Sequence, residues 1–198
     1  MLEERAASPE SFRPTVEALV QAMVVWDDEN LRHCQRTADY ATRVAEELGV
    51  PAEETAYIRL GSLLHDIGKI GVDLALLKKP SALTADDLER VRLHPAMGAS
   101  ILERVLPAAI VECAAAHHEQ PDGRGYPRGL REPEIPLSAM ICRVADVLDS
   151  LTTDQTYRPA MSLDEALAEL RDGAGSRYSA RVVDALLALM DREGLEAA

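Results

Sequence analysis

A chain of 198 residues with a formal charge of -13 suits one domain with its own core, and its acidity argues against a nucleic-acid polymer or an anionic membrane as partner. With one Phe and one Trp among 47% hydrophobic residues, the core is expected to be aliphatic and helical. Three widely spaced cysteines, Cys34, Cys113 and Cys142, match no zinc-finger spacing and read as small buried hydrophobes in a reducing, cytoplasmic compartment.

In chain order, FRPTVEALVQAMVVW reads as a helix from near Pro14; its apolar content is either core or a surface that pairs two copies. The acidic start before it is no signal peptide, and no run of about 18 apolar residues is present to span a membrane. A second helix is expected over residues 28–48, stopped by Gly49 and Pro51, and a third from Pro51 through AEETAYIRLGSLL. Residues 68–83 form a connection with Gly68, Gly71 and Pro80 and room for one short helical turn. TADD at 84–87 is a capping box that opens the next helix. Further helices follow Pro95 and run from Pro107 to about His118. Residues 119–136 hold three glycines and four prolines, a long loop of the kind usually kept for function. A helix over about 137–151 follows, then the polar stretch TTDQTYRPA. SLDE at 162–165 caps another helix, Gly173 and Gly175 break it, and SARVVDALLALMDREG forms the last. No strand alternation and no internal repeat stand out, so the fold class is all-α.

All five histidines, His33, His65, His94, His117 and His118, fall in or at the ends of these helices. Glu29 precedes His33 by four residues, on one helical face. Asp66 adjoins His65, and Asp146 sits mid-helix between apolar neighbours. Imidazole and carboxylate donors suit divalent first-row metals. Adjacent ligands such as His65 and Asp66 point about 100° apart on a helix, which suits two ions or a bridging role. The donors exceed the needs of one ion, and the lack of thiolates favours iron or manganese over structural zinc. Cys113 and Cys142 lie four residues before His117 and Asp146, placed to pack beneath such a site.

The motifs ENLRHCQR (29–36), HDIGKI (65–70), LHPAMGASIL (93–102), HHEQPDGRGYP (117–127) and RVADVLDSLTTDQTYRPA (143–160) resemble, in order and spacing, the HD-GYP branch of the HD phosphohydrolase superfamily. The resemblance spans about residues 15–190. It implies a compact multi-helix HD-type domain over 15–192, with a flexible tail over 1–14, another over 193–198, and a long GYP loop. It also implies a centre of two or three divalent ions that hydrolyses cyclic di-GMP to pGpG or GMP in a signalling context. By motif, His33, His65, Asp66, His94, His117, His118 and Asp146 look like metal ligands, with Asp66 as a bridge. Glu29 matches the position used by members that hold a third ion. Lys69 looks like the lysine that meets the scissile phosphate, Tyr126 flanks the substrate, and Arg158 resembles a basic residue on phosphate or guanine. Two departures stand out. Gln155 replaces an arginine that faces phosphate, and Pro121 stands where a tryptophan is common.

Alternatives are a cyclic-dinucleotide receptor with little turnover, and an HD phosphohydrolase for another nucleotide. A homodimer and a regulatory protein are further partners to consider. The acidic chain needs local positive charge to hold an anionic substrate. Eight candidate ligands with only three carboxylates would leave a metal-filled pocket positive, helped by Arg124, Arg128, Arg131 and Arg158.

Overall fold

The structure is a computed structural model that describes residues 8–79, 81–154 and 158–194. A 3-10 turn at Pro9–Phe12 leads into α1 (Arg13–Trp26), α2 (Asp28–Glu47) and α3 (Ala52–Leu63). A second 3-10 turn at Ile67–Gly71 is followed by α4 (Leu74–Leu77), α5 (Ala85–Val91), α6 (His94–Leu102) and α7 (Ala108–Ala116). After the long loop come α8 (Leu137–Thr152), α9 (Leu163–Asp172) and α10 (Ala180–Glu193). Among the described residues there is no strand, only isolated bridges such as Asp122–Arg131 within the loop. Regular structure begins at Pro9, ahead of the expected boundary at 15; residues 1–7 and 195–198 lie outside the described residues.

Local chemistry sets these bounds. Asp27 accepts from the Glu29 amide and starts α2. At its end the Gly49 amide bonds the Glu46 carbonyl and the Val50 amide the Ala45 carbonyl, with Gly49 at φ +71°, a left-handed stop that suits glycine. Thr84 with Asp87, and Ser162 with Glu165, form the two capping boxes read from the sequence.

Two buried cores flank the centre of the domain. One joins Ala41, Val44 and Ala45 of α2 to Val144, Ala145 and Leu148 of α8 and to Val182, Val183 and Leu186 of α10. The other joins Val16 and Met23 of α1 to Leu31 and Cys34 of α2, Leu64, Ile67, Leu102 and Ile110. The apolar face of α1 is therefore spent in the core of its own chain. Cys34, Cys113 and Cys142 are free and fully buried, as small hydrophobes would be. Among the described residues no helix is long and apolar enough to cross a membrane.

Candidate metal centre

Five segments contribute to one buried cluster. α2 carries His33. The end of α3 delivers His65 and Asp66, and the 3-10 turn behind them delivers Lys69. α6 opens on His94, α7 ends just before His117 and His118, and α8 carries Asp146.

Asp66 lies at the centre. Its Oδ2 is 3.4 Å from His65 Nε2 and 4.0 Å from His33 Nε2. Its Oδ1 is 3.3 Å from His94 Nε2 and 4.0 Å from His117 Nε2. The two oxygens of one carboxylate thus face two separate sets of imidazoles. Asp146 Oδ1 completes the first set, 3.0 Å from His33 Nε2 and 3.9 Å from His65 Nε2. His118 completes the second, its ring centre 4.1 Å from that of His117 and 5.0 Å from that of His94. The groups His33–His65–Asp66 and His94–His117–His118 each offer donor atoms within 4.8 Å of one another. Glu29 joins neither: it is exposed on the first turn of α2.

The backbone decides which nitrogen of each ring is free. Nδ1 of His65, His94 and His117 lies 2.7, 2.7 and 2.8 Å from the carbonyls of Ser62, Val91 and Ala114, each three residues upstream. A carbonyl only accepts, so each Nδ1 carries a proton and Nε2 is the nitrogen turned to the centre. His33 is held differently. Its Nδ1 lies 2.7 Å from Asp149 Oδ2, and Asp149 is gripped by Arg36 at 2.5 Å (Nε) and 3.0 Å (Nη2). Asp149 and Arg36 escaped the sequence reading, although each sits three residues after a candidate ligand, Asp146 and His33, and so lies one turn away on the same helix.

Electrostatics separate the two sets. Burial alone would lower the imidazole of His33, but hydrogen bonds to Asp146 and Asp149 raise it to about 10. Burial works against His65 as well, and Asp66 still lifts it well above its ordinary value. Burial also opposes the ionised form of Asp66, yet Lys69, His65, His94 and His33 hold its carboxyl well below the usual range. On the other side burial wins. It pushes His117 well down, lowers His94, and takes His118 to about 3 despite Asp146. His94 and His117 are therefore neutral, with both Nδ1 protons committed to carbonyls, and their Nε2 lone pairs face each other at 3.2 Å. Two lone pairs at that distance repel unless a cation draws on both. Buried N and O donors with no thiolate, backed by hydrogen-bonded partners, fit a divalent first-row ion.

The HD domain family matches residues 18–182 of the chain. The chain belongs to the HD domain family. HD domain phosphohydrolases depend on metal, and the His and Asp groups here could hold it. A cyclic di-GMP phosphodiesterase of Thermotoga maritima is 40% identical over 82% of this chain and 45% of its own length. A 3′3′-cGAMP-specific phosphodiesterase of Vibrio cholerae is 39% identical over 71% of this chain and 31% of its own length. The chain thus spans less than half the length of each of these relatives. Among solved structures, Bd1817, an HDG"Y"P protein from Bdellovibrio bacteriovorus, superposes with a TM-score of 0.69 over 92% of this chain and 64% of its own, at 21% identity, so it shares the fold. The helical HD-type domain expected from the motifs is the observed one.

Around this histidine and aspartate cluster, the other residues singled out in the sequence have the following places. Lys69 Nζ donates to Asp66 Oδ2 at 2.5 Å and to Asn30 Oδ1 at 3.4 Å. Tyr126 stacks on His118, with ring centres 4.7 Å apart and an angle of 19° between planes, and the Arg92 guanidinium lies 5.3 Å from its ring centre. The loop bearing Tyr126 is tied by buried Glu119, whose carboxylate accepts from the Arg128 and Leu130 amides at 2.7 and 2.9 Å. Glu119 was not singled out in the sequence, although it directly follows the histidine pair. Arg158 is not brought to the cluster by any contact: it donates to the carbonyls of Ser150 and Leu151 at the end of α8 and to that of its neighbour Pro159. Gln155 lies outside the described residues. Arg124 and Arg128 are exposed and pair with Asp122 and Glu112 at the loop surface.

Because Asp149 acts on His33 from behind, Asp149→Asn should preserve shape while weakening the grip on the ring. Metal affinity is expected to fall about 10–100-fold. The check is metal retained after dialysis against a graded chelator series; unchanged retention would show that Asp149 serves packing alone.

Proposed function

We propose that the chain is a metal-dependent phosphodiesterase that opens the 3′–5′ phosphodiester of cyclic di-GMP, yielding pGpG and, after a second cut, GMP. The observation that carries this reading is Asp66, a buried carboxylate whose two oxygens look toward His65 at 3.4 Å and toward His94 at 3.3 Å. That arrangement suits a bridge between two ions, iron or manganese, one among His33, His65, Asp66 and Asp146, the other among Asp66, His94, His117 and His118. A third ion on Glu29 is not part of the proposal, since that carboxylate stands exposed and outside both groups. Bound there, the ions would polarise phosphoryl oxygens and make water acidic enough to lose a proton near neutrality.

The chain's own groups would do the rest. Burial tends to neutralise Lys69, but Asp66 outweighs it and raises the ammonium above its ordinary value, so Lys69 stays charged and can donate to a phosphoryl oxygen as negative charge grows there. The carbonyls of Ser62, Val91 and Ala114 hold three rings in fixed tautomers, so the ligand shell is set before substrate arrives. Tyr126, whose phenol burial pushes up to about 12, stays neutral and offers a flat wall beside His118 for a base or ribose. Two relatives named for cyclic di-GMP and for 3′3′-cGAMP support the substrate class, and the second keeps a mixed-base dinucleotide as the rival reading.

The test is a substrate panel on protein loaded with manganese or iron. Cyclic di-GMP is expected to give pGpG, faster than 3′3′-cGAMP and much faster than any mononucleotide. Preference for 3′3′-cGAMP would move the assignment to the mixed-base substrate. Binding without product in a single-turnover assay would make the chain a receptor.

A further inference from the structure

We infer that Arg143 binds the second phosphate of the cyclic dinucleotide, the one that is not being cut. The inference rests on the phosphodiesterase reading above. Arg143 projects from α8 beside the ligand cluster. Its Nη1 lies 3.4 Å from His118 Nδ1, and its Nε donates to the Arg177 carbonyl at 3.2 Å. Its guanidinium carbon lies 5.5 Å from the ring centre of Tyr178. These contacts fix the direction of a half-buried cation without neutralising it.

The other half-buried arginines among the described residues are provided for. Arg36 pairs with Asp149, Arg43 with Glu193 and Arg177 with Glu169. Arg158 is spent on the carbonyls at the end of α8. Arg143, like Arg158, makes no ion pair among the described residues, although the chain carries 34 acidic residues against 21 basic ones; unlike Arg158, it stands against a member of the cluster, His118. A cation drawn partly out of water and left unpaired is unfavourable. Its planar fork is suited to two oxygens of a phosphate, and Nη2 has no hydrogen-bond partner among the described residues.

Position separates its task from that of Lys69. Lys69 is bonded to Asp66 Oδ2, the oxygen that faces His65 and His33, and on the phosphodiesterase reading it serves the phosphoryl group being cut. Arg143 is bonded to His118, in the opposite group. A cyclic dinucleotide carries two phosphodiesters in one ring, and one cation stands beside each ligand group, one for each phosphate.

The experiment compares the parent and Arg143→Gln in steady-state turnover of cyclic di-GMP, with the linear dinucleoside monophosphate GpG, which has one phosphodiester, as competitive inhibitor. KM for cyclic di-GMP is expected to rise about tenfold or more, with kcat changed less than about threefold and the inhibition constant of GpG less than about twofold. Arg143→Lys, which keeps charge and loses the fork, should fall between. An unchanged KM, or an equal weakening of GpG, overturns the assignment. So does loss of bound metal in both variants, which would make Arg143 a structural residue. A parent that does not cut cyclic di-GMP overturns the functional reading itself, and this assignment with it.

Discussion

Asp66→Ala is expected to abolish cyclic di-GMP turnover, by at least about 10³-fold, and to strip metal from the protein. Among the described residues no other side chain contacts both imidazole groups through separate oxygens. Removing it leaves the two groups without a shared ligand and Lys69 without its counter-ion at 2.5 Å. An abandoned buried cation is destabilising, by about 3–5 kcal/mol where burial is complete. The ammonium of Lys69 keeps some access to water, its side chain being 24% exposed, so the loss should sit below that range. Asp66→Asn separates shape from charge. It keeps the volume, offers one neutral acceptor oxygen and cannot bridge two cations as a carboxylate does. Metal per chain by elemental analysis, product by chromatography and Tm by calorimetry form the readout. If Asp66→Ala retains the parent's metal content and rate, the bridging role is wrong.

Much of this cluster was legible in the residues because histidines and aspartates rarely sit at the ends of apolar helices without a task. His65–Asp66 and His117–His118 announced themselves as adjacent polar pairs closing apolar helices, and the structure brings both to one centre with His33, His94 and Asp146. Local signals also carried far: TADD and SLDE became capping boxes, and Gly49 ended α2. What stayed hidden was the supporting shell. Asp149 reads as one acidic residue among 34, and its meaning depends on a partner 116 positions away, His33. Arg143 reads as a helical arginine until packing sets it against His118, Tyr178 and the Arg177 carbonyl, with no ion pair among the described residues. Glu119 becomes a clasp only when the chain returns at Arg128 and Leu130. Glu29 marks the opposite case: helical spacing from His33 was right, yet the first turn of α2 leaves it facing solvent. Spacing along one helix gives a face, whereas a ligand shell needs several elements to meet, and that meeting is set by the two cores to which α2 contributes, one shared with α8 and α10 and the other with α1 and α7.

The glycine in HDIGKI gives the second large effect: Gly68→Ala should disrupt the centre without touching a ligand. A Cβ on Gly68 would lie 2.0 Å from the His94 carbonyl oxygen and 2.4 Å from the Gly98 amide nitrogen. Both are backbone atoms of α6, so no rotamer change can relieve the overlap, and the 3-10 turn and the helix must separate. His94 opens that helix and Asp66 precedes that turn, so the 3.3 Å approach between them widens with it. Overpacking of this kind costs about 1–3 kcal/mol, with rigid contacts at the upper end, and a displacement of about 1 Å at a reacting centre can cost about 10²-fold in rate. The expected result is a lowered Tm, weaker metal binding in the His94–His117–His118 group and a rate reduced about 100-fold. Two neighbouring glycines calibrate it. At Gly71 the added carbon meets only the Met97 sulfur, at 2.7 Å, the mobile part of a flexible side chain, so Gly71→Ala should cost little. At Gly98, inside α6, the nearest atom is 3.4 Å away, and alanine there should be neutral or stabilise by up to about 1 kcal/mol through lower chain entropy in the unfolded state. Equal Tm and activity across all three variants would show that the turn and α6 need no such close approach, and that the distance between Asp66 and His94 is held by something other than the missing side chain at position 68.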